Sequence, residues 1–309
     1  MSAVIDVHHH WIPPDLAQHL GGDPPDRSGR VSSIDRLIAD LDRYGIAKAV
    51  INVSNHIESL DLGLCRQLND AMYRLKQRFP DRILTLAHVP IGEPGAVEEL
   101  ERTLSLGVSG VFSIVHLPRL GWSLDHPGLD SFYERVSALG LPIVTHPATE
   151  PLEYVSSTPR ERLPLLDHNL MSNCGRPYNT TVSLMRLLLS KVLDRFPGLR
   201  FLYPHLGGTF GVMKERMLSR YYDLGMREDL ERRLRQVYFD MAPPRWSRAQ
   251  LRCAVETIGA DRIMFGTDHA IEPHYLEHAL NLARSDAFTD IEREGLFHAN
   301  AKELFGARI

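Results

Sequence analysis

Along this chain, short unbroken apolar runs alternate with longer segments whose apolar positions recur every three or four residues. Eight runs read as strands: residues 3–7, 49–53, 83–88, 110–115, 142–146, 200–203, 237–240 and 263–266. Most are continuous and rich in β-branched residues rather than alternating, as for strands covered on both faces. The segments between them read as amphipathic helices. Residues 33–44 open on Ser-Ile-Asp and place Ile34, Leu37, Ile38 and Leu41 on one face, and residues 61–78 do the same with Leu62, Leu64, Leu68, Met72 and Leu75. Further helices are expected at 96–105, 127–139, 180–196, 211–222, 248–258, 276–285 and 289–305. Strand–helix alternation implies a parallel sheet. Eight such units predict an α/β protein of the (β/α)8 TIM-barrel class over residues 1–309, although periodicity alone does not decide closure.

Two stretches interrupt the rhythm. Residues 13–30, rich in Pro, Gly and Asp, follow the first strand, and residues 148–178 follow the fifth. Long loops in a compact domain are usually functional, and both would leave the strand ends where barrel enzymes keep their active sites. A chain of 309 residues accommodates one such barrel with insertions, though two domains also fit the length. The net charge of -4 and the 24% of charged residues offer nothing specific to nucleic acid or an anionic membrane. No apolar stretch is long enough to span a bilayer, and no secretory signal is expected at the N-terminus. Cys65, Cys174 and Cys253 are odd in number and far apart. That argues against disulfides or a cysteine zinc site, so a cytoplasmic location is expected.

The positions of the histidines change the picture. Asp6-Val7-His8-His9-His10 follows the first apolar run. Alternation along a strand puts His8 and His10 on one side, half of a metal site, and His9 on the other. Taken alone, the cluster would equally suit a terminal loop without metal. His146 ends the segment 141–146, His205 ends 201–205, and Asp268 ends 263–268. A lone strand-end histidine is more often a satisfied core residue. In a barrel, however, these three would share one rim with His8 and His10, and five such residues together point to a metal site.

Here the chain resembles the amidohydrolase superfamily, in the branch of aminocarboxymuconate-semialdehyde decarboxylase and related metal-dependent decarboxylases, over nearly its whole length. The resemblance rests on Ile5-Asp6-Val7-His8-His9-His10, on Gly175-Arg176-Pro177-Tyr178-Asn179-Thr180-Thr181, and on Arg195-Phe196-Pro197-Gly198-Leu199-Arg200 leading to Pro204-His205-Leu206-Gly207-Gly208. Gly266-Thr267-Asp268 completes it. It implies an amidohydrolase-like barrel in which His8, His10, His146 and Asp268 bind one divalent metal, Asp268 also serves catalysis, and His205 handles protons beside them. Zn2+ is the expected ion, with Mn2+, Co2+ and Fe2+ also suited to three imidazoles and a carboxylate. Another superfamily pattern carries a carboxylated lysine at the end of strand four. This chain has Phe112-Ser113-Ile114-Val115-His116 there, which favours a mononuclear site.

Substrate contacts are expected from Trp11, as pocket floor or core, and from Arg176 and Asn179 in the long loop, as contacts or helix caps. Arg216, on the helix after His205, would meet a substrate carboxylate, in its own or a neighbouring subunit's site, or lie at the surface. His116 and His88 would line the rim, and His269 and Glu272 would orient a ligand. His56, after strand two, fits no motif. The resemblance further implies a small carboxylic acid substrate and a homodimer. The reaction it favours is non-oxidative decarboxylation of an aromatic or dienoic acid. Hydrolysis of an amide, a lactone or a carbon–carbon bond on the same site is the alternative, and a metal-stabilised binding scaffold a third reading, because fold does not settle chemistry.

Overall fold

The computed structural model describes residues 3–17, 19, 33–53, 60–147, 170–243, 245–269 and 274–309. Eight strands form one parallel sheet in chain order: β1 (Val4–His10), β2 (Ile46–Asn52), β3 (Ile83–His88), β4 (Gly110–Ile114), β5 (Ile143–His146), β6 (Phe201–Tyr203), β7 (Val237–Asp240) and β8 (Ile263–Met264). Its two edges meet. The Val7 N–H donates to the Phe265 carbonyl at 3.0 Å and the Asp268 N–H to the His8 carbonyl at 2.9 Å. A parallel bridge joins His9 and His269. The sheet is thus a nearly closed barrel, and surrounding helices cover it.

The helices are α1 (Ile34–Tyr44), α2 (Leu62–Arg78), α3 (Ala96–Leu104), α4 (Asp130–Leu139), α5 (Arg176–Leu189), α6 (Val192–Arg195), α7 (Phe210–Asp223), α8 (Arg227–Leu234), α9 (Arg248–Ile258), α10 (Tyr275–Ala283), α11 (Asp290–Glu294) and α12 (Asn300–Phe305). Their starts follow capping chemistry. The Ser33 hydroxyl accepts from the Arg36 N–H, the Asp61 carboxylate from the Leu64 N–H, and Ser247 with Gln250 closes a reciprocal capping box. Among the described residues, no helix is long and apolar enough to cross a membrane.

The differences from the expected elements have local causes. β1 continues through His10 because His9 and His10 still pair with Ile51 and Asn52 of β2. β8 stops at Met264, and Asp268 sits beyond it with φ 59, in a turn rather than at a strand end. The helix expected at 180–196 starts four residues earlier, after a π-turn at Met171–Gly175, and breaks at Lys191 with φ 64. Arg176 and Asn179 therefore lie at the start of α5, not in a loop, and Pro177 comes directly after the π-turn that runs into the helix. A π-turn at Gly295–Ala299 splits the last expected helix. Helix α8 escapes periodicity because Leu230, Arg233 and Leu234 are its only buried residues. A small hairpin, His116–Leu117 with Trp122–Ser123, carries His116 off the end of β4. Most of the long loops expected after the first and fifth strands, together with His56 and Glu272, lie outside the described residues.

Candidate metal centre

Four side chains converge at the C-terminal mouth of the barrel. His8 and His10 come from β1, His146 from the end of β5, and Asp268 from the turn after β8. Asp268 Oδ1 lies 2.8 Å from His10 Nε2 and 3.5 Å from His8 Nε2. The ring centroids are 5.1 Å apart for His8 and His10, 5.3 Å for His8 and His146, and 5.2 Å for His10 and His146. One donor atom from each of the four residues falls within 4.8 Å of the others.

Two of these rings are tied down by their outer nitrogens. His8 Nδ1 stands 2.9 Å from Asp240 Oδ2, and His146 Nδ1 donates to the Pro147 carbonyl at 2.9 Å. Both rings thus turn Nε2 inward. His8 Nε2 is buried and has no hydrogen-bond partner among the described residues. A buried polar atom left unsatisfied is costly unless something binds it. Three imidazoles and one carboxylate, with the outer nitrogens of His8 and His146 held, fit a single divalent ion.

Electrostatics divide the labour among the ligands. Burial would lower the pKa of His8, but the carboxylates of Asp240, Asp268 and Asp6 outweigh it and raise the value to about 9. Burial, with His10 and His8 alongside, pushes His146 well below the usual histidine range. Burial would raise Asp268, yet its hydrogen bond to His10 and the nearby imidazoles hold it below the usual carboxylate range.

His205 stands next to this cluster, its ring stacked on that of His8 at 5.3 Å. It follows Pro204 after β6 and opens a tight turn in which both His205 and Leu206 are left-handed, with φ 56 and 53. Such backbone costs an L-residue ~1–2 kcal/mol and collects at functional sites. The turn is clamped from outside. At Gly208 (φ 75) an added Cβ would run into the Pro177 carbonyl of α5 and lie 2.5 Å from Thr181 Oγ1. Thr181 Oγ1 also bonds the Gly207 carbonyl at 3.0 Å and accepts the Thr209 N–H at 2.8 Å. The Pro-Tyr-Asn-Thr-Thr and His-Leu-Gly-Gly segments are thus two sides of one joint. The His205 Nδ1–H donates to the Ala242 carbonyl at 2.7 Å, which leaves Nε2 with its lone pair, and burial lowers the pKa.

Two carboxylates that motif reasoning passed over organise the surroundings. Asp240 accepts from His8 and from the backbone of the His205 turn. The available signal was that it ends β7 on the rim where β1 and β5 present ligands. Asp6 accepts from the His8 N–H, from His9 Nδ1 and from the Thr267 hydroxyl, so it locks β1 to the Gly-Thr-Asp segment. His9 faces away from the cluster, as alternation requires, and its ring lies 5.0 Å from that of His269, which bonds Asp40.

The remaining expected residues are more scattered. Trp11 is buried in the core, and its backbone N–H donates to the Asn52 carbonyl at 3.0 Å. His88 is fully buried beside Phe112, whose ring is 6.1 Å from His146, and burial pushes its pKa down to about 3. His116 is buried in the hairpin. Arg176 is half-buried at the start of α5, and Asn179 is buried one turn on. The Arg216 side chain is exposed on α7 and makes no hydrogen bond or ion pair to the cluster among the described residues.

A profile of the Amidohydrolase family matches residues 5–307. The chain belongs to the amidohydrolase family. Gamma-resorcylate decarboxylase of Rhizobium sp. is 27% identical over 341 aligned positions, covering 99% of this chain and 98% of its own. Decarboxylase orsB of Emericella nidulans is 29% identical over 238 residues, covering 73% of this chain and 70% of its own. The crystal structure of a dihydroxybenzoic acid decarboxylase from Polaromonas sp., with bound manganese and the inhibitor 2-nitroresorcinol, shares the fold at a TM-score of 0.84. It is 22% identical and covers 99% of this chain and 97% of that one. This amidohydrolase is therefore homologous to decarboxylases, and it carries a mononuclear His/Asp metal-binding cluster.

Proposed function

We propose that this amidohydrolase is a metal-dependent, non-oxidative decarboxylase of a small aromatic carboxylic acid of the hydroxybenzoate type. The observation that carries the reading is a neutral histidine, His205, stacked against a four-residue metal cluster with its Nδ1–H anchored and its Nε2 left open. The decarboxylase relatives support the reaction and the substrate class. A divalent ion held by His8, His10, His146 and Asp268 would supply the positive charge that holds an anionic acid in place. His205 Nε2 takes up a proton and delivers it to the ring carbon that bears the carboxylate. The new C–H bond forms, the C–C bond to the carboxylate breaks, its electron pair returns to the ring, and CO2 leaves. Asp268, held ionised, keeps the cluster anionic enough to retain its ion.

Trp11, Arg176 and His116 belong to this proposal as substrate contacts. Arg216, exposed on α7, would serve only from outside the pocket. Zinc is the ion expected from the donor set, and the manganese of the Polaromonas relative names its competitor. The proposal extends to a single domain over residues 1–309 in a cytoplasmic homodimer, for which sedimentation of the purified protein is the first check. The decisive test is CO2 release from 2,6-dihydroxybenzoate, other hydroxybenzoates and muconate semialdehydes by protein loaded with Mn2+ or Zn2+. Turnover of a hydroxybenzoate supports the reading, and turnover of the semialdehydes alone would keep the reaction but replace the substrate class with a dienoic acid. Inertness toward all, with hydrolysis of lactones or amides, would overturn it in favour of a hydrolase.

A further inference from the structure

A second group of metal-competent side chains lies beside the first: His8, His205 and Asp240. Its hydrogen bonds argue against a second ion. Asp240 Oδ2 is engaged by His8 Nδ1 at 2.9 Å, and Asp240 Oδ1 accepts two backbone donors, the N–H groups of His205 and Ala242, each at 3.0 Å. His205 Nδ1 is turned away, onto the Ala242 carbonyl at 2.7 Å. Both oxygens of Asp240 are thus already spent on hydrogen bonds, which leaves no carboxylate ligand for a second ion.

We propose that Asp240 is the positioning residue that couples the metal cluster to the proton-handling histidine, one carboxylate oxygen serving each. Oδ2 keeps a proton on His8 Nδ1 and so directs the Nε2 lone pair into the cluster. Oδ1 pins the His205 N–H and so holds the left-handed backbone at His205 (φ 56) that no local preference favours. It also pins the Ala242 N–H, and the carbonyl of the same residue fixes which nitrogen of His205 carries the proton. Asp240 is 1% exposed, so no water competes for either oxygen. The carboxylate does not face the ring carbons of a substrate; it acts through His8 and His205. A leucine or asparagine in its place would fill the same volume, but neither offers two acceptor oxygens aimed in opposite directions.

That last point makes the isosteric variant informative. In Asp240→Asn the amide offers one oxygen where the site uses two. If the oxygen stays on the His205 turn, the amide NH2 faces His8 Nδ1, draws the lone pair there and places the proton on Nε2, which closes that ligand. If the amide flips, the NH2 confronts two N–H donors and the His205 turn is released. The inference rests on the proposed metal centre, but its primary readout is metal binding, which does not depend on the reaction being a decarboxylation. Zn2+ and Mn2+ affinities of the wild type, Asp240→Asn and Asp240→Ala would be measured by competition with a chromogenic chelator, alongside thermal melts of the metal-free proteins.

The expected result is a loss of ~10–100-fold in metal affinity for both variants, with metal-free Asp240→Asn melting close to the wild type. Wild-type affinity in both variants would overturn the proposal, as would a loss that merely tracks a lowered melting temperature. Should the variants fail to fold, zinc-loaded wild-type protein labelled with 15N-histidine carries the test. A slowly exchanging proton on His8 Nδ1 supports the assignment, and a proton on Nε2 refutes it. If the affinity falls as expected while no acid is decarboxylated, the coupling stands and the proposed reaction fails.

Discussion

Replacing Gly208 by alanine tests whether the joint between α5 and the His205 turn is as tight as its geometry states. Three penalties add there. The backbone at Gly208, φ 75 and ψ -109, lies outside the left-handed helical well and costs an alanine at least ~1–2 kcal/mol. The new Cβ would also run into the Pro177 carbonyl and sit 2.5 Å from Thr181 Oγ1. A backbone carbonyl in the first turn of a helix cannot swing aside, so overpacking of about 1–3 kcal/mol follows. Displacing Thr181 also weakens its bonds to the Gly207 carbonyl and the Thr209 N–H, at roughly 1 kcal/mol each. The whole substitution should therefore cost about 4–7 kcal/mol, a large part of the ~5–15 kcal/mol that stabilises a typical domain. Gly225 supplies the control, since its φ is 80 and nothing lies within 4 Å of the Cβ it would gain. Gly225→Ala should cost only the ~1–2 kcal/mol of the backbone conformation. Urea unfolding of both variants, with metal present and absent, measures the difference. Gly208→Ala should also lower turnover, because the segment it displaces begins at His205. Equal destabilisation of the two variants within ~0.5 kcal/mol would refute the claim that close contact, rather than backbone conformation alone, requires glycine at position 208.

Other outcomes follow from the same geometry. His205→Asn should leave metal content unchanged, as measured by elemental analysis, while lowering decarboxylation by ~10²–10⁴-fold; a matching loss of metal would instead place His205 among the ligands. In the metal-free protein His8 keeps its second proton up to about pH 9, and that proton competes with the metal for Nε2. Apparent metal affinity should therefore fall about tenfold per pH unit as pH drops from ~9 to ~7, and level off above ~9. Affinity that is flat across that window in chelator competition would contradict the raised value. Arg233, 2% exposed, bonds Asp194 and the Leu188 carbonyl, and so ties α8 to α5 and α6. Arg233→Ala should cost about 1–3 kcal/mol through its lost packing and its lost bond to the Leu188 carbonyl, since Asp194 keeps Arg232 as a partner. Arg78→Ala, which breaks an exposed pair with Asp35, should stay within ~0.5 kcal/mol in the same unfolding assay.

Much of the candidate site could be read along the chain because strand alternation is a local rule. His8 and His10 share a side and His9 does not, whatever the rest of the molecule does. His146 ends its strand as expected, and the order of eight strands and their helices follows from the period of the apolar residues. What escaped has no local signature. Arg176 and Asn179 read as loop residues because Pro177 and the preceding glycine look like helix breakers, yet helical backbone runs through both by way of the π-turn at Met171–Gly175. The importance of Asp240 is invisible in Val-Tyr-Phe-Asp, since its partners His8 and His205 are 232 and 35 positions away.

The chain alone therefore determined the alternation of eight strands with helices, the choice of metal-competent residue types and the faces they occupy, because each depends on spacing within one element. Only the tertiary structure decided that the first and last strands meet, that Asp268 swings into the cluster from a left-handed turn, and that His205 is held there against its backbone preference. Those facts depend on contacts between segments far apart in sequence, where burial and hydrogen bonds override local conformational preference.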